Sequence, residues 1–180
     1  MHPILPADIV IDVETPADDE AIEALNALSF GPGRHARAAA RLRERGPHDR
    51  ALSFTARRDK TLVGSVRLTP IEAGGVRGHL LGPLVVVPPL KSVGIGRALI
   101  ERCCGAAAEA GSGAFVLLVG DAPYYARAGF QVVRGPIMPG PVDPARLLVR
   151  WHGAPVPLAG PVRHARDADR TPPFGLSLTK

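Results

Sequence analysis

The chain has 180 residues, of which 46% are hydrophobic and 22% are charged, so it is long enough to bury a core of its own as one domain. A net charge of +5 could suit nucleic acid, but only 4% of the residues are aromatic and the arginines are scattered, which argues against a base-stacking surface. The positive charge instead favours a small anionic ligand.

Membrane insertion, secretion and metal binding are not indicated by the sequence. A run of about 18 apolar residues is absent, and no charged-then-apolar leader precedes Ile9. Cys103 and Cys104 are neighbours in a predicted helix, where successive side chains point about 100° apart and a disulfide is geometrically poor. The histidines and cysteines show no metal-ligand spacing. We therefore predict a cytoplasmic protein with reduced thiols, no membrane span and no metal.

Hydrophobic patterning and turn residues predict strands that alternate with helices. Thr15-Pro16 favours a helix start, Asp59-Lys60 separates two strands of a hairpin, and Gly111-Ser112-Gly113 favours a helix end. In chain order, the predicted elements are a strand over Ile9–Val13, a helix from Pro16 to about Leu28, a helix over Arg34–Arg45, a hairpin of Leu52–Arg57 and Leu62–Leu68, a long strand over His79–Val87, a helix over Gly94–Ala110, a strand over Phe115–Val119, a short helix over Pro123–Ala128, and a closing strand pair of Phe130–Val133 and Arg146–Trp151.

The composition changes after Trp151, where prolines, glycines and charges replace large apolar residues. Such a stretch cannot build a core of its own. We therefore predict one domain over residues 1–152 and a tail over residues 153–180, partly packed at its beginning and loose at its end. A role for this tail as a lid, or as an arm that clasps a second copy, is the less favoured alternative.

The most informative stretch runs from Leu84 to Leu99, where an apolar run and two prolines precede a helix that starts at Gly94-Ile95-Gly96-Arg97. The first N–H groups of a helix have no intrahelical partner, glycines let a ligand approach them closely, and the helix dipole adds about half a positive charge there. A dinucleotide fingerprint is excluded because Leu99 stands where the third glycine is needed, and the Gly-Lys-Ser/Thr of a P-loop is missing. The stretch therefore predicts a site for a pyrophosphate or a similar anion.

Two blocks in this part of the chain resemble the GNAT superfamily of acyl-CoA-dependent N-acyltransferases. Lys91-Ser92-Val93-Gly94-Ile95-Gly96 is similar to the family signature Gln/Arg-x-x-Gly-x-Gly/Ala after a long strand, with Lys91 in place of Gln or Arg. Val116 to Phe130 resembles the family's strand and short helix, with Tyr followed by Gly-Phe. Upstream, Ser53–Leu68 and Phe30–Arg34 are similar to a bacterial branch of predicted acetyltransferases.

The resemblance covers the chain from about Ile9 to Trp151 and implies an α/β (α+β) fold. The family's fold is a mixed, mostly antiparallel sheet of about seven strands, flanked by helices on both faces and splayed at the acyl-CoA site. Acetyl-CoA is the implied acyl-donor substrate. By the resemblance, two sets of residues would bind it: Leu84, Val85 and Val86 would hydrogen-bond the pantetheine arm, and Lys91, Ser92, Val93, Gly94, Ile95, Gly96 and Arg97 would hold the pyrophosphate.

An amine that attacks an acyl thioester must lose a proton, and the departing thiolate must gain one. By the resemblance, Tyr125 lies where the family's proton-donating Tyr lies, ahead of Gly129-Phe130, and its neighbour Tyr124 is the alternative. A phenol has an ordinary pKa of about 10, so it is protonated at neutral pH and can give a proton to a thiolate.

The base that accepts the amine proton is less defined by the sequence. His79, at the beginning of the long strand, is the residue that we name, and Glu72 and Asp121 lie near the same place. By the resemblance, ordered water can replace a single basic side chain, so this alternative stays open.

The sequence therefore predicts an acetyl-CoA-dependent N-acetyltransferase that acts on a primary amine of a small molecule or a protein. A transferase of longer acyl chains or onto a hydroxyl, and a non-catalytic acyl-CoA-binding module, are the alternatives. The loops around Phe30–Arg37 and Met138–Asp143 would shape the acceptor pocket, but they carry no recognition code. No nucleic-acid partner is predicted, and a homodimer stays open.

Overall fold

The computed structural model describes residues 5–31 and 38–169 of the chain. The strands in these ranges are β1 Ile9–Val13, β2 Asp49–Arg58, β3 Thr61–Ala73, β4 Val76–Val86, β5 Phe115–Val119, β6 Gln131–Val132, β7 Pro136–Ile137, β8 Leu147–Trp151 and β9 Gly160–His164. The helices are α1 Asp19–Phe30, α2 Ala38–Arg43, α3 Ile95–Glu109, α4 Ala122–Ala126 and α5 Ala165–Ala168, and short 3-10 turns precede α1, α3 and β8.

Seven of the strands form one continuous sheet in the order β1-β2-β3-β4-β5-β8-β6. Neighbouring strands are antiparallel except β4 and β5, which are parallel. β9 pairs with the end of β3 that extends beyond β2, and β7 lies parallel to β9. The predicted fold class, a mixed and mostly antiparallel sheet with helices, is confirmed.

Helices cover both faces of this sheet. α3 contacts β2, β3 and β4, and it packs Leu99 and Cys103 into the apolar cluster of one face. On the other face α1 contacts β3 and β4, and Ala38 and Leu42 of α2 join a second apolar cluster with residues of β3, β4 and β5. The sheet and its two helical layers thus hold the ends of β4, β5 and α3 in fixed relation.

The predicted hairpin is present, with strands longer than expected. Its turn consists of Asp59 and Lys60, whose φ angles of 47° and 69° are the positive values that a two-residue hairpin turn requires. The predicted start of the long strand at His79 was wrong, because β4 begins at Val76, which pairs with Ala73 at the end of β3. Strand pairing, rather than the local apolar run, decides where these strands end.

The chain after Trp151 packs against the sheet as far as residue 169. β9 pairs with residues 71–73 of β3, and Leu158 and Val162 are buried in the second apolar cluster. β7 and β9 are not predicted from the sequence because both are short and contain proline. The division into a domain, 1–152, and a tail, 153–180, stays a prediction. Residues 170–180 lie outside the described residues, as do residues 32–37 around the beginning of the predicted helix Arg34–Arg45.

Candidate active site

β4 and β5 pair over a short distance and then separate. Two residue pairs, His79–Val116 and Leu80–Leu117, join the strands, and no further pairing follows between them. The register of β4 against β3 also shifts by one residue between Leu81 and Leu84, which marks a bulge. Residues 84–86 therefore pair with β3 on one side, while their main chain faces a gap on the side of β5.

The end of β4 lies close to the first turn of α3. A Cβ atom placed on Gly96 would lie 3.7 Å from Val86 Cγ2. Gly94 is the N-cap of the helix with a φ of 92°, and Ser92 before it has a φ of 74°. The first intrahelical hydrogen bond runs from the Ala98 N–H to the Gly94 carbonyl at 2.9 Å, so the N–H groups of the first turn point out of the helix end. Helix ends of this kind bind phosphate groups.

The residues predicted to hold the pyrophosphate surround this turn. Residues 91–93 are exposed, and Gly94, Gly96 and Arg97 are partly exposed. Ile95 is 1% exposed and packs in the core under α3, so only its backbone can face a ligand.

α4 carries two adjacent tyrosines whose side chains go to different places. The Tyr124 hydroxyl lies over the first turn of α3, because a Cβ on Gly96 would come within 2.5 Å of it. Tyr125 packs edge-on against Phe130, with 5.9 Å between ring centroids, and its ring lies close against Gly120. Burial, followed by the nearby Tyr124, raises the pKa of Tyr125 to about 12. The Tyr125 hydroxyl is therefore protonated throughout the neutral range.

A cavity of about 660 Å³ lies between the sheet and the helices α1 and α2. Leu84, Val119 and Tyr125 line it where β4 and β5 separate. Phe30 and residues 141–143 also line it, and they belong to the two loops that the sequence analysis named for the acceptor pocket; residues 32–37 of the first loop lie outside the described residues. Its volume is within the range of about 300–1,000 Å³ that is usual for small-molecule sites.

A buried ionic cluster borders this cavity. The Glu14 carboxylate is fully buried and lies 2.8 Å from His48 Nε2 and 2.8 Å from Arg50 Nη1, and it accepts a 2.9 Å hydrogen bond from Arg67 Nε. Burial alone would raise the pKa of Glu14, but the hydrogen bonds of His48 and Arg67 and the charge of Arg67 outweigh it and lower the pKa. His48 and Arg67, which line the cavity, are thus paired inside the protein. This cluster cannot be read from the sequence because its members are distant in the chain.

The three candidates for the base do not line the cavity. His79 lies in β4 and is 2% exposed, and burial lowers its pKa, so that its imidazole is neutral at pH 7. Glu72 and Asp121 are absent from the described cavity wall as well. The fold therefore brings Tyr125 to the cavity without a predicted base beside it.

A sequence model of the acetyltransferase (GNAT) family matches residues 20–130, which is more than half of the chain. The chain belongs to the GNAT acetyltransferase family. The matched range contains the glycine turn of α3 and Tyr125, so the resemblance found in the sequence is confirmed. No curated protein matches the sequence significantly.

Solved structures share the GNAT fold. The GNAT family N-acetyltransferase YhbS from Escherichia coli, in complex with CoA, is 27% identical and has a TM-score of 0.75 over 97% of this chain and 98% of YhbS. A GNAT family acetyltransferase from Brucella melitensis, in complex with acetyl-CoA, is 24% identical with a TM-score of 0.64, covering 87% of this chain and 95% of that one. Naa50 from Arabidopsis thaliana, in complex with the bisubstrate analogue CoA-Ac-MVNAL, is 14% identical with a TM-score of 0.56, covering 80% of this chain and 99% of Naa50. Likeness to the latter two concerns the fold alone.

The CoA held by YhbS agrees with the acyl donor predicted from the sequence. Over residues 5–31 and 38–169, no helix has the length and apolar character needed to cross a membrane. The same ranges contain no group of three or more His, Cys, Asp or Glu side chains that could hold a metal ion. A cytoplasmic location and a homodimer stay predictions.

Proposed function

We propose that the protein transfers the acetyl group of acetyl-CoA to a primary amine of a small molecule or a protein. The observation that carries this proposal is the gap between β4 and β5, which has the N-terminus of α3 near the end of β4 and the cavity with Tyr125 beside it. A donor with an anionic pyrophosphate, an extended arm and a reactive end would fit the N-terminus of α3, the gap and the cavity, respectively. YhbS, which holds CoA, supports the proposal because it matches nearly the whole chain.

The donor would be held mainly by the backbone. The main chain of residues 84–86 would hydrogen-bond the pantetheine arm as it would an added strand. The N–H groups of Ser92–Arg97 and the dipole of α3 would bind the pyrophosphate. Lys91 is exposed beside this turn and would add a flexible positive charge.

The chemistry moves one proton from the amine nitrogen to the CoA sulfur. The nitrogen attacks the thioester carbon, a C–N bond forms, the C–S bond breaks, and the sulfur leaves as a thiolate. In this proposal Tyr125 donates its phenolic proton to the sulfur and regains, through ordered water, the proton that the amine loses. A thiol has an ordinary pKa of about 8.5, whereas the pKa of Tyr125 is about 12. The hydroxyl therefore stabilises the developing charge by a hydrogen bond first, and the proton that the amine loses completes the transfer.

His79 remains our proposal for the base, and it would have to act through ordered water. Its imidazole is buried within β4 and does not line the cavity. Its lowered pKa keeps it neutral and able to accept a proton at pH 7.

Release of CoA from acetyl-CoA, followed with a thiol reagent against a panel of diamines, amino sugars, amino-acid amides and short peptides, tests the proposed function. We expect turnover with at least one amine, and a fall in kcat of about 10²-fold in Tyr125→Phe without loss of acetyl-CoA affinity. Tyr124→Phe is the matched control and should be milder, because that hydroxyl lies over α3 rather than in the cavity.

Any of three results would contradict this proposal and indicate a different function. Tight binding of acetyl-CoA without turnover on any acceptor would indicate a binding module. Faster turnover of octanoyl-CoA than of acetyl-CoA would indicate a longer-chain acyltransferase. Acetylation of alcohols in preference to matched amines would indicate O-acyl transfer.

A further inference from the structure

Two buried polar side chains on the cavity wall have no hydrogen-bond partner among the described residues. Asn26 is 1% exposed and Thr69 is fully buried, and both line the cavity. Within the described part of the chain, Asn26 Nδ2, Asn26 Oδ1 and Thr69 Oγ1 all lack a partner. Buried polar groups are nearly always hydrogen-bonded, because leaving them unpaired costs free energy. A ligand in the cavity is therefore a physical reason for their presence.

The two residues lie on facing surfaces of α1 and β3. Glu23, Asn26 and Phe30 line the cavity together, at a spacing that places side chains on one face of a helix. Thr69 follows Arg67 by two residues and therefore shares its face of β3. Glu23 and Arg67 join α1 to β3 through a 3.1 Å ion pair. Asn26 and Thr69, further along the same two faces, are not bonded to each other.

Several charged groups around them are already neutralised or hydrogen-bonded inside the protein. Arg67 and His48 pair with Glu14, and the Asp143 carboxylate accepts a 2.9 Å hydrogen bond from the Ala145 N–H. Asn26 and Thr69 themselves contribute a neutral amide and a neutral hydroxyl. They call for a neutral group that both donates and accepts hydrogen bonds.

We propose that Asn26 and Thr69 form an acceptor subsite that binds an amide group of the amine substrate. An Asn side chain offers a donor and an acceptor in one plane, and it pairs best with a group that presents both on one side. A primary carboxamide does so, and so do the N–H and C=O of one residue in an extended peptide. The hydroxyl of Thr69 supplies a third hydrogen bond. This inference rests on the proposed function, since it specifies which amines that function uses.

Matched acceptors separate the amide from the rest of the substrate. The probes are ω-amino carboxamides of increasing chain length, the corresponding methyl esters, and trialanine amide as an extended peptide. For the wild-type protein we expect kcat/KM for the best amide to exceed that for its ester by about tenfold or more, because an ester accepts but cannot donate. Asn26→Leu should abolish this preference for the amide over the ester, and Thr69→Val should reduce it.

Stability and product binding distinguish a subsite from a structural role. Because the two groups are unpartnered, Asn26→Leu and Thr69→Val should keep or raise the Tm. Ser29→Ala is the matched control: it removes another buried, unpartnered polar atom from α1, at a residue that does not line the cavity, and should leave the amide preference unchanged. Binding of the N-acetylated carboxamide, measured by calorimetry, should weaken in the first two variants and not in the control.

Each other outcome has a definite meaning. Equal use of amides and esters, or an amide preference that survives Asn26→Leu, would overturn the subsite while the proposed function stands. A marked fall in Tm in both Asn26→Leu and Thr69→Val would overturn it in favour of a structural role. If no amine is acetylated but the N-acetylated carboxamide binds in an Asn26-dependent manner, the subsite stands and the proposed function fails.

Discussion

Replacing Gly96 with aspartate tests the pyrophosphate site most directly. The new carboxylate would stand on the first turn of α3, where the N–H groups point out of the helix. At about 4 Å from a phosphate charge, the repulsion is about 4 kcal/mol at an effective dielectric constant of about 20, which corresponds to an affinity loss of roughly 10³-fold. The same carboxylate stabilises a helix N-terminus by about 0.3–1 kcal/mol, so the fold should be retained.

The close contact at this position has to be separated from the charge. A Cβ on Gly96 meets the Tyr124 hydroxyl at 2.5 Å, but Tyr124 is 47% exposed and its ring can move aside. Gly96→Ala introduces the same Cβ without the charge. Gly105→Asp adds a carboxylate to the same helix about 13.5 Å away, which is beyond the Debye length of about 8 Å, at a position with nothing near its Cβ.

Titration calorimetry with acetyl-CoA measures all three variants. We expect a loss of roughly 10³-fold for Gly96→Asp, a few-fold loss for Gly96→Ala and no change for Gly105→Asp. Wild-type affinity in Gly96→Asp, with a cooperative unfolding transition, would show that the pyrophosphate does not bind at α3. The proposed mode of donor binding would then be refuted.

Lys91→Gln should weaken acetyl-CoA binding by less than about tenfold, because an exposed charge contact is worth about 1 kcal/mol or less. The loss of affinity should be smaller still in high salt, which screens the contact. A hundredfold loss by calorimetry would make Lys91 a main anchor. The pKa of Tyr125, at about 12, predicts that its ionisation does not lower kcat up to pH 10; an alkaline fall below pH 10 that disappears in Tyr125→Phe would contradict this. The lowered pKa of Glu14 means that its contribution to stability is present above its unfolded pKa of about 4.3 and is lost as the pH falls through its folded pKa. Glu14→Gln should therefore lower the free energy of unfolding by about 3 kcal/mol at pH 7 and by less at pH 4 in urea titrations, since it leaves Arg67 with one carboxylate fewer. Equal free energies of unfolding of Glu14→Gln and the wild-type protein at pH 7 would show that the ionic cluster does not stabilise the fold.

Local sequence patterns were sufficient to predict several of the turns, strands and helices. Three features act through backbone conformation or burial within a few neighbouring residues: Gly94 at the N-cap of α3, the turn at Asp59-Lys60 and the apolar run of β5. Their positions could therefore be predicted from the sequence. The family signature added the fold and the acyl donor, because it lies on this same glycine turn.

The acceptor side could not be predicted in the same way. The resemblance favours Tyr125 over its neighbour Tyr124. Only packing against α3 and β5, however, places the Tyr124 hydroxyl over Gly96 and Tyr125 in the cavity wall. The position of His79 at the predicted beginning of a long strand makes it a candidate base in the sequence. In the structure, the pairing of β4 with strands on both sides buries it.

The sequence by itself determined most of the strands and helices, the glycine turn at the start of α3 and the family, since these depend on short-range backbone preferences and on contiguous motifs. Only the tertiary structure decided the gap between β4 and β5, the pairing of β9 with β3 and the cluster around Glu14. It also decided that Asn26 and Thr69 face one cavity without hydrogen-bond partners in the described ranges 5–31 and 38–169. The physical reason is that burial and hydrogen bonding join residues from distant parts of the chain, and these contacts form only when the layers pack together.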